Sequence, residues 1–189
     1  MPRAVRRADA ALDQSLLLGL VGYNCRRVYL RVMSLYAERI QALALSPAEF
    51  SALCTLGHNE GVTQKRLAAA LDTAAPNLAV LLDRLVQRGL VARLPNPDDG
   101  RSQRLALTAA GRALLADAER IVVRLERDAS AMLGAGERRT LIALLQRMFL
   151  PEEERTVRLA GARPGRTSAA AAGPTLRTRT RTRTAARVR

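Results

Sequence analysis

Apolar residues recur at helical spacing along most of this chain, and the places where that spacing fails mark its organisation. From residue 12 to 44, Leu12, Leu16, Leu20, Tyr23, Val28, Val32, Leu35 and Ile40 return near the helical period with no internal Pro. This predicts one long helix. Thirty helical residues would reach roughly 45 Å, more than one small domain covers by itself, so a role in dimerisation is expected. Ser46-Pro47-Ala48-Glu49 reads as a second helix start, with Ser as N-cap, Pro in first position and Glu completing a capping box. That helix carries Phe50, Leu53, Cys54 and Leu56 and stops around residues 57–61. Thr63 to Leu71 follows as a short helix with Leu67 and Leu71 on one face. Ala74 to Arg88 is another, with Leu78, Leu81, Leu82 and Leu85 inward and Gly89 just past its end.

The period then changes. Leu90-Val91-Ala92 and Leu105-Ala106-Leu107 flank a turn-rich, charged segment, Pro95 to Ser102, which predicts a β-hairpin. Helix, turn, helix, hairpin is the order of a winged helix-turn-helix DNA-binding domain. Thr108 caps a further long helix, about Ala109 to Leu133, with Leu114, Leu115, Ala118, Ile121, Val122, Leu125, Ala129 and Met132 on its buried side. Gly134-Ala135-Gly136 breaks it, and residues 137–149 form a last amphipathic helix through Leu141, Leu144, Leu145 and Met148. The fold class is therefore mainly α: a three-helix core plus β-hairpin wing, with long N- and C-terminal dimerisation helices. Residues 1–11 are expected to be a flexible N-terminus. Residues 12–150 form the folded domain, with its DNA-binding core at about 46–108. Residues 151–189 are a basic tail that ends in the low-complexity run AAAAGPTLRTRTRTRTAARVR and is expected to be disordered.

Composition refines this picture. A chain of 189 residues suits one domain with extensions, and 48% hydrophobic residues suffice for a core. The net charge of +14 is unevenly spread. Residues 161–189 hold 8 Arg and no acid, whereas residues 10–160 hold 20 basic and 16 acidic residues. A modestly positive body suits a DNA partner, and the arginine tail would add salt-sensitive, non-specific affinity or serve as a dispensable extension. Two cysteines make no disulfide framework, which fits a reducing cytoplasm. No apolar run reaches the ~18 residues of a membrane span. The N-terminal arginines before Leu16-Leu17-Leu18 are faintly signal-like, but the apolar part runs into Asn24, Arg26 and Arg27 without an Ala-x-Ala site, so no signal peptide is expected.

The candidate chemistry is recognition. Thr63 can cap its helix and leave Gln64, Lys65 and Arg66 in an exposed first turn that faces phosphate. The Ala74–Arg88 helix would enter the major groove. Pro76 fits its first turn, Asn77 can pair with adenine or hold a phosphate, and Ala79 and Val80 can meet thymine methyls. Arg84 lies further along the same helix. In the hairpin, Asp98-Asp99-Gly100 makes a tight turn with Arg101 near its tip, suited to a narrow minor groove, and Arg104 lies on the returning strand. The bland alternative for both arginines is a solvated hairpin. No nucleotide loop, zinc-ligand spacing or His/Asp/Ser set is present, so neither an enzyme, a metal nor a cofactor is expected. His58, the single histidine, reads as a helix cap or a solvated residue.

The string Asp83-Arg84-Leu85, then Arg88-Gly89-Leu90-Val91, Pro97-Asp98-Asp99 with Arg101 following, and Leu107-Thr108 before Gly111, resembles the MarR family of bacterial transcriptional regulators over about residues 12–150. The resemblance implies a homodimer joined through its first and last helices. It implies two recognition helices in successive major grooves of a pseudo-palindromic operator, with repression by promoter occlusion. It also implies a small, often aromatic or anionic effector held between the dimerisation helices and the winged domain, for which Tyr23, Arg27, Tyr36 and His58 are the candidate contacts. An Asp of the wing turn should hold the hairpin through an Arg, Asp98 or Asp99 with Arg93 or Arg84. The chain departs from the family pattern in lacking several Ser, Thr and Arg residues on the recognition helix, and in having Gly100 where a second basic residue is common. The first departure shifts weight toward wing contacts and DNA shape, whereas the second implies a wing that binds less tightly. Some relatives sense peroxides through a cysteine just after a Leu-Asp-x-x-Leu start. Here Leu12-Asp13-Gln14-Ser15-Leu16 is followed by Leu17, which leaves Cys25, beside Arg26 and Arg27, for a redox-switched alternative, with Cys54 in the core. A weakly specific DNA-binding or protein-interaction module is the other alternative.

Overall fold

The apolar stripe predicted as one helix over residues 12–44 is interrupted. In the computed structural model, which describes residues 12–151, α1 (Ser15–Leu18) ends at Gly19, Leu20 is extended, and α2 (Val21–Ile40) begins anew. The Asn24 amide donates to the Leu18 and Leu20 carbonyls, both at 2.8 Å, and so ties the end of α1 to the start of α2. Apolar spacing continues across this step unchanged, which is why periodicity alone missed it. A single 3₁₀ turn, Gln41–Leu43, closes α2 and leads to Ala44 in the left-handed region. The expected flexible N-terminus and arginine tail lie outside the described residues.

The predicted capping box opens α3 (Pro47–Gly57): Glu49 N–H donates to Ser46 Oγ at 3.2 Å, and Ser46 N–H donates to a Glu49 carboxylate oxygen at 2.8 Å. Next come β1 (Val62–Thr63), α4 (Gln64–Ala70), α5 (Ala75–Gln87), β2 (Val91–Pro95), β3 (Gln103–Leu107) and α6 (Ala109–Ala129). The antiparallel sheet runs β1-β3-β2, with Val62 opposite Leu105 and Val91 opposite Leu107. Strand β1 was not foreseen, since two residues offer no alternation to read. Inside, Leu53, Leu67, Leu78, Leu82 and Leu85 are fully buried, joined by Ile40 of α2 and Leu125 of α6. Burial of each such side chain contributes about 1.5–3 kcal/mol.

Gly89 and Gly111 are required by geometry. Gly89, at φ +67°, lets the chain leave α5 through a left-handed residue, with Gly89 N–H and Leu90 N–H donating back to Val86 and Leu85 carbonyls. At Gly111 a Cβ would overlap the Leu90 carbonyl, so the first turn of α6 can lie against the start of the hairpin only without a side chain. Helix α6 stops at Ala129 and not at Leu133. The Ser130 hydroxyl donates to the Glu126 carbonyl at 2.7 Å, and Met132, expected inside, is exposed. Helices α2 and α6 pack together and are tied by the Arg39–Asp128 ion pair at 2.5 Å and by Arg31 donating to the Ala129 carbonyl.

The described residues from 135 to 151 belong to a separate unit. Its helix α7 (Ala135–Phe149) takes Gly136 into its first turn and exposes Leu141, Leu144, Leu145, Met148 and Phe149. Among the described residues no helix is long and apolar enough to cross a membrane.

Candidate nucleic-acid interface

Helix α4 begins as predicted, with Thr63 Oγ1 accepting from Arg66 N–H at 3.4 Å. Pairing of Thr63 with Arg104 in the sheet brings this helix start beside the hairpin. Between them lies an open groove of about 590 Å³, lined by Thr63, Gln64, Lys65, Asn96, Arg101 and Ser102 among others. Lys65 and Arg101 are exposed, and neither side chain has an ion-pair or hydrogen-bond partner among the described residues. The groove therefore presents cationic groups and helix-start amides together, a combination that attracts phosphate.

The wing is organised by Asn96. Its Nδ2 donates to Ser102 Oγ at 2.7 Å, while its Oδ1 accepts from Arg104 Nε at 2.8 Å and from Asp98 N–H at 3.3 Å. Arg104 also pairs with Asp98. Asp99 shapes the tip, its carboxylate accepting from Arg101 N–H at 3.0 Å and its carbonyl from Ser102 N–H. The expected Asp–Arg lock thus exists with different partners. Asp98 pairs with Arg104 and not with Arg93 or Arg84, because the strand register places Arg104 opposite Leu94, next to the turn. Arg93 instead pairs with Asp83 at 2.7 Å and ties β2 to α5. Sequence reading missed Asn96, though an Asn opening a Pro-Asp-Asp-Gly turn is a recognisable signal.

Helix α5 turns Leu78, Leu82 and Leu85 inward and leaves Ala75, Pro76, Asn77, Val80 and Arg84 exposed, with Ala79 half-buried. Its start has no side-chain cap, so amides of its first turn stay open as well. Asn77, Val80 and Arg84 line one shallow groove with Thr73 and Ser46. The far end of α5 is pinned: Arg88 donates to the Ala44 and Leu43 carbonyls at 2.8 and 3.1 Å and stands 3.8 Å from the Glu49 carboxylate. The exposed face of α5 is thus anchored at its C-terminal end and largely apolar over its first turns.

The four candidate effector contacts do not converge. Tyr23 and Arg27 sit together on α2, with Arg27 donating to the Tyr23 hydroxyl at 3.0 Å. Tyr36 lies further along the same helix and is buried, its hydroxyl without a hydrogen-bond partner. Burial, followed by the nearby Glu49 carboxylate, pushes its pKa up to about 12. Tyr36 lines an apolar pocket of about 380 Å³ with Met33, Ile40, Leu45 and Pro47. His58 is elsewhere, 3.4 Å from Glu119 of α6. Cys25 is exposed on α2, whereas Cys54 is half-buried, and burial and the Glu119 carboxylate raise its thiol pKa.

A three-helix core with a hairpin wing, a cationic groove at its base and an exposed second helix defines a winged helix-turn-helix DNA-binding regulator. Residues 45–103 match the model of the MarR family. The chain is 31% identical to a putative transcriptional regulatory protein for the hcr operon of Thauera aromatica, over 77% of this chain and 88% of that protein. It is also similar to the transcriptional repressor CouR bound to a 23-mer DNA duplex (TM-score 0.70, 36% identity, 74% of this chain and 99% of that one). The same repressor bound to p-coumaroyl-CoA superposes with a TM-score of 0.66 at 35% identity, covering 73% of this chain and 97% of that one. The chain belongs to the MarR family of transcriptional regulators.

Proposed function

We propose that this protein acts as a homodimeric repressor that occupies a pseudo-palindromic operator and is released by a small aromatic or anionic effector. The carrying observation is the groove between α4 and the wing, where Lys65 and the unpaired Arg101 face the same space as the α4 start. In this reading Thr63, Gln64 and Lys65 hold phosphate. Pro76, Asn77, Ala79 and Val80 meet base edges, and Arg84 meets backbone phosphate. Arg101 enters the minor groove. Arg104, already committed to Asn96 and Asp98, keeps the wing rigid more than it touches DNA.

The dimer is supported by apolar surface left uncovered. On α1 and α2, Leu16, Val28 and Tyr29 are 77%, 54% and 59% exposed; on α7, Met148 and Phe149 are 66% and 70% exposed. Effector binding is supported by the likeness to CouR, and within this chain by the apolar pocket that Tyr36 lines with Met33, Ile40, Leu45 and Pro47. Release requires that the effector bind better to a state whose two recognition helices no longer fit DNA. The regulator is read as non-enzymatic and as acting in the cytoplasm.

The test is fluorescence anisotropy of the protein on its own upstream intergenic DNA and on a scrambled duplex near ~0.15 M salt. Preference for its own DNA is expected. Equal binding to both duplexes would replace the specific repressor with a coating or interaction module.

A further inference from the structure

The chain has two cysteines and one histidine, and the fold brings one of each together with a carboxylate, away from the DNA-facing groove. Cys54 and His58 stand one turn apart at the end of α3, and His58 N–H donates to the Cys54 carbonyl at 3.2 Å, which fixes their spacing. Glu119 approaches from α6, 65 residues from Cys54 in sequence. Its Oε1 lies 3.4 Å from His58 Nε2 and 3.9 Å from Cys54 Sγ, and the three ligand atoms all fall within 4.8 Å of one another. In a tetrahedral zinc site, with bonds of about 2.0–2.3 Å, ligand atoms stand roughly 3.3–3.7 Å apart.

We propose that Cys54, His58 and Glu119 form a site for a zinc-class divalent cation, with water in the fourth position. One thiolate, one imidazole and one carboxylate suit a borderline-soft ion and not calcium or magnesium, which take oxygen ligands throughout. Thiolate and carboxylate together offset the charge of the cation. The metal displaces the Cys54 thiol proton to solvent as it binds. Cys54 is half-buried, whereas the His58 and Glu119 side chains are 61% and 36% exposed, so the cation can enter from solvent and keep an open position. Occupancy would cross-link the last turn of α3, the first helix of the winged core, to the middle of α6. The absence of a recognisable ligand spacing in the sequence has a simple cause: the third ligand comes from a different helix.

The experiment is titration of the reduced, full-length protein with Co²⁺, followed by absorption and then by Zn²⁺ competition. Expected are saturation at one equivalent per chain, tetrahedral d–d bands, a thiolate-to-cobalt charge-transfer band, and displacement by Zn²⁺. Cys54→Ser should abolish the charge-transfer band, and Cys25→Ser should leave it intact. His58→Ala changes an exposed side chain and Glu119→Gln is nearly isosteric, so both should fold; each should weaken binding by about tenfold or more. The proposal is overturned by the absence of saturable binding in the folded protein. A charge-transfer band that survives Cys54→Ser or disappears in Cys25→Ser would also overturn it.

Discussion

The winged core and the α1–α2 arm carry apolar patterns of similar quality, yet among the described residues only the core is closed. In the core, Leu53, Leu67, Leu78, Leu82 and Leu85 have no exposed surface, because α3, α4, α5 and the sheet approach one another from several sides. In the arm, the second half of α2 packs on α6 and buries Tyr36 and Ile40, while Leu16, Val28 and Tyr29 in its leading half stay exposed. Periodicity reports that a face wants cover and is silent on what supplies it. For the arm we propose that a second copy does.

Mutations at matched positions sharpen this contrast. Leu82→Ala should destabilise the protein by about 2–5 kcal/mol in urea unfolding, since it opens a cavity among fully buried neighbours. Leu16→Ala should leave unfolding of the core within ~0.5 kcal/mol while promoting dissociation in sedimentation velocity. Equal losses of stability at both sites would end the distinction. Next in size, Arg101→Ala should weaken operator binding by about tenfold, with the dimer intact by size-exclusion chromatography. Normal binding by that variant would remove the wing tip from the interface.

The remaining predictions are smaller. Tyr36 keeps its proton in the folded state to about pH 12, whereas unfolded tyrosine releases it near the ordinary value of 10. Its contribution to stability is therefore full below pH ~10 and lost as pH rises toward 12. Tyr36→Phe should flatten alkaline unfolding over that window, read by circular dichroism. Because the hydroxyl it removes has no partner, stability at neutral pH should change little or rise. Removal of residues 161–189 should shallow the salt dependence of DNA binding and keep sequence preference. Loss of preference would make the tail more than an electrostatic aid.

Much of the architecture was legible because local signals agreed with one another. The Ser46–Glu49 capping box, Thr63 and Thr108 as caps, and Gly89 past α5 each mark a boundary found within a residue or so. The failures share one trait: the deciding contact was remote or broke no pattern. The step at Gly19–Leu20 left the apolar period intact. Asp98 found Arg104 through strand register, and Asp83 took Arg93 across to α5. The two-residue strand β1 exists only because β3 lies beside it.

The sequence by itself determined the order of the winged-core helices and the hairpin, the leucines that fill that core and the family, since caps, turns and the period of burial act over a few neighbouring positions. Only the tertiary structure decided which cations are free and which are spent. It left Arg101 unpaired at the wing tip, engaged Arg104 with Asn96 and Asp98, and set Cys54 and His58 against Glu119. The physical reason is the range of the interactions: hydrogen bonds and ion pairs form between atoms a few ångströms apart, and only the folded chain brings residues so distant in sequence within that reach.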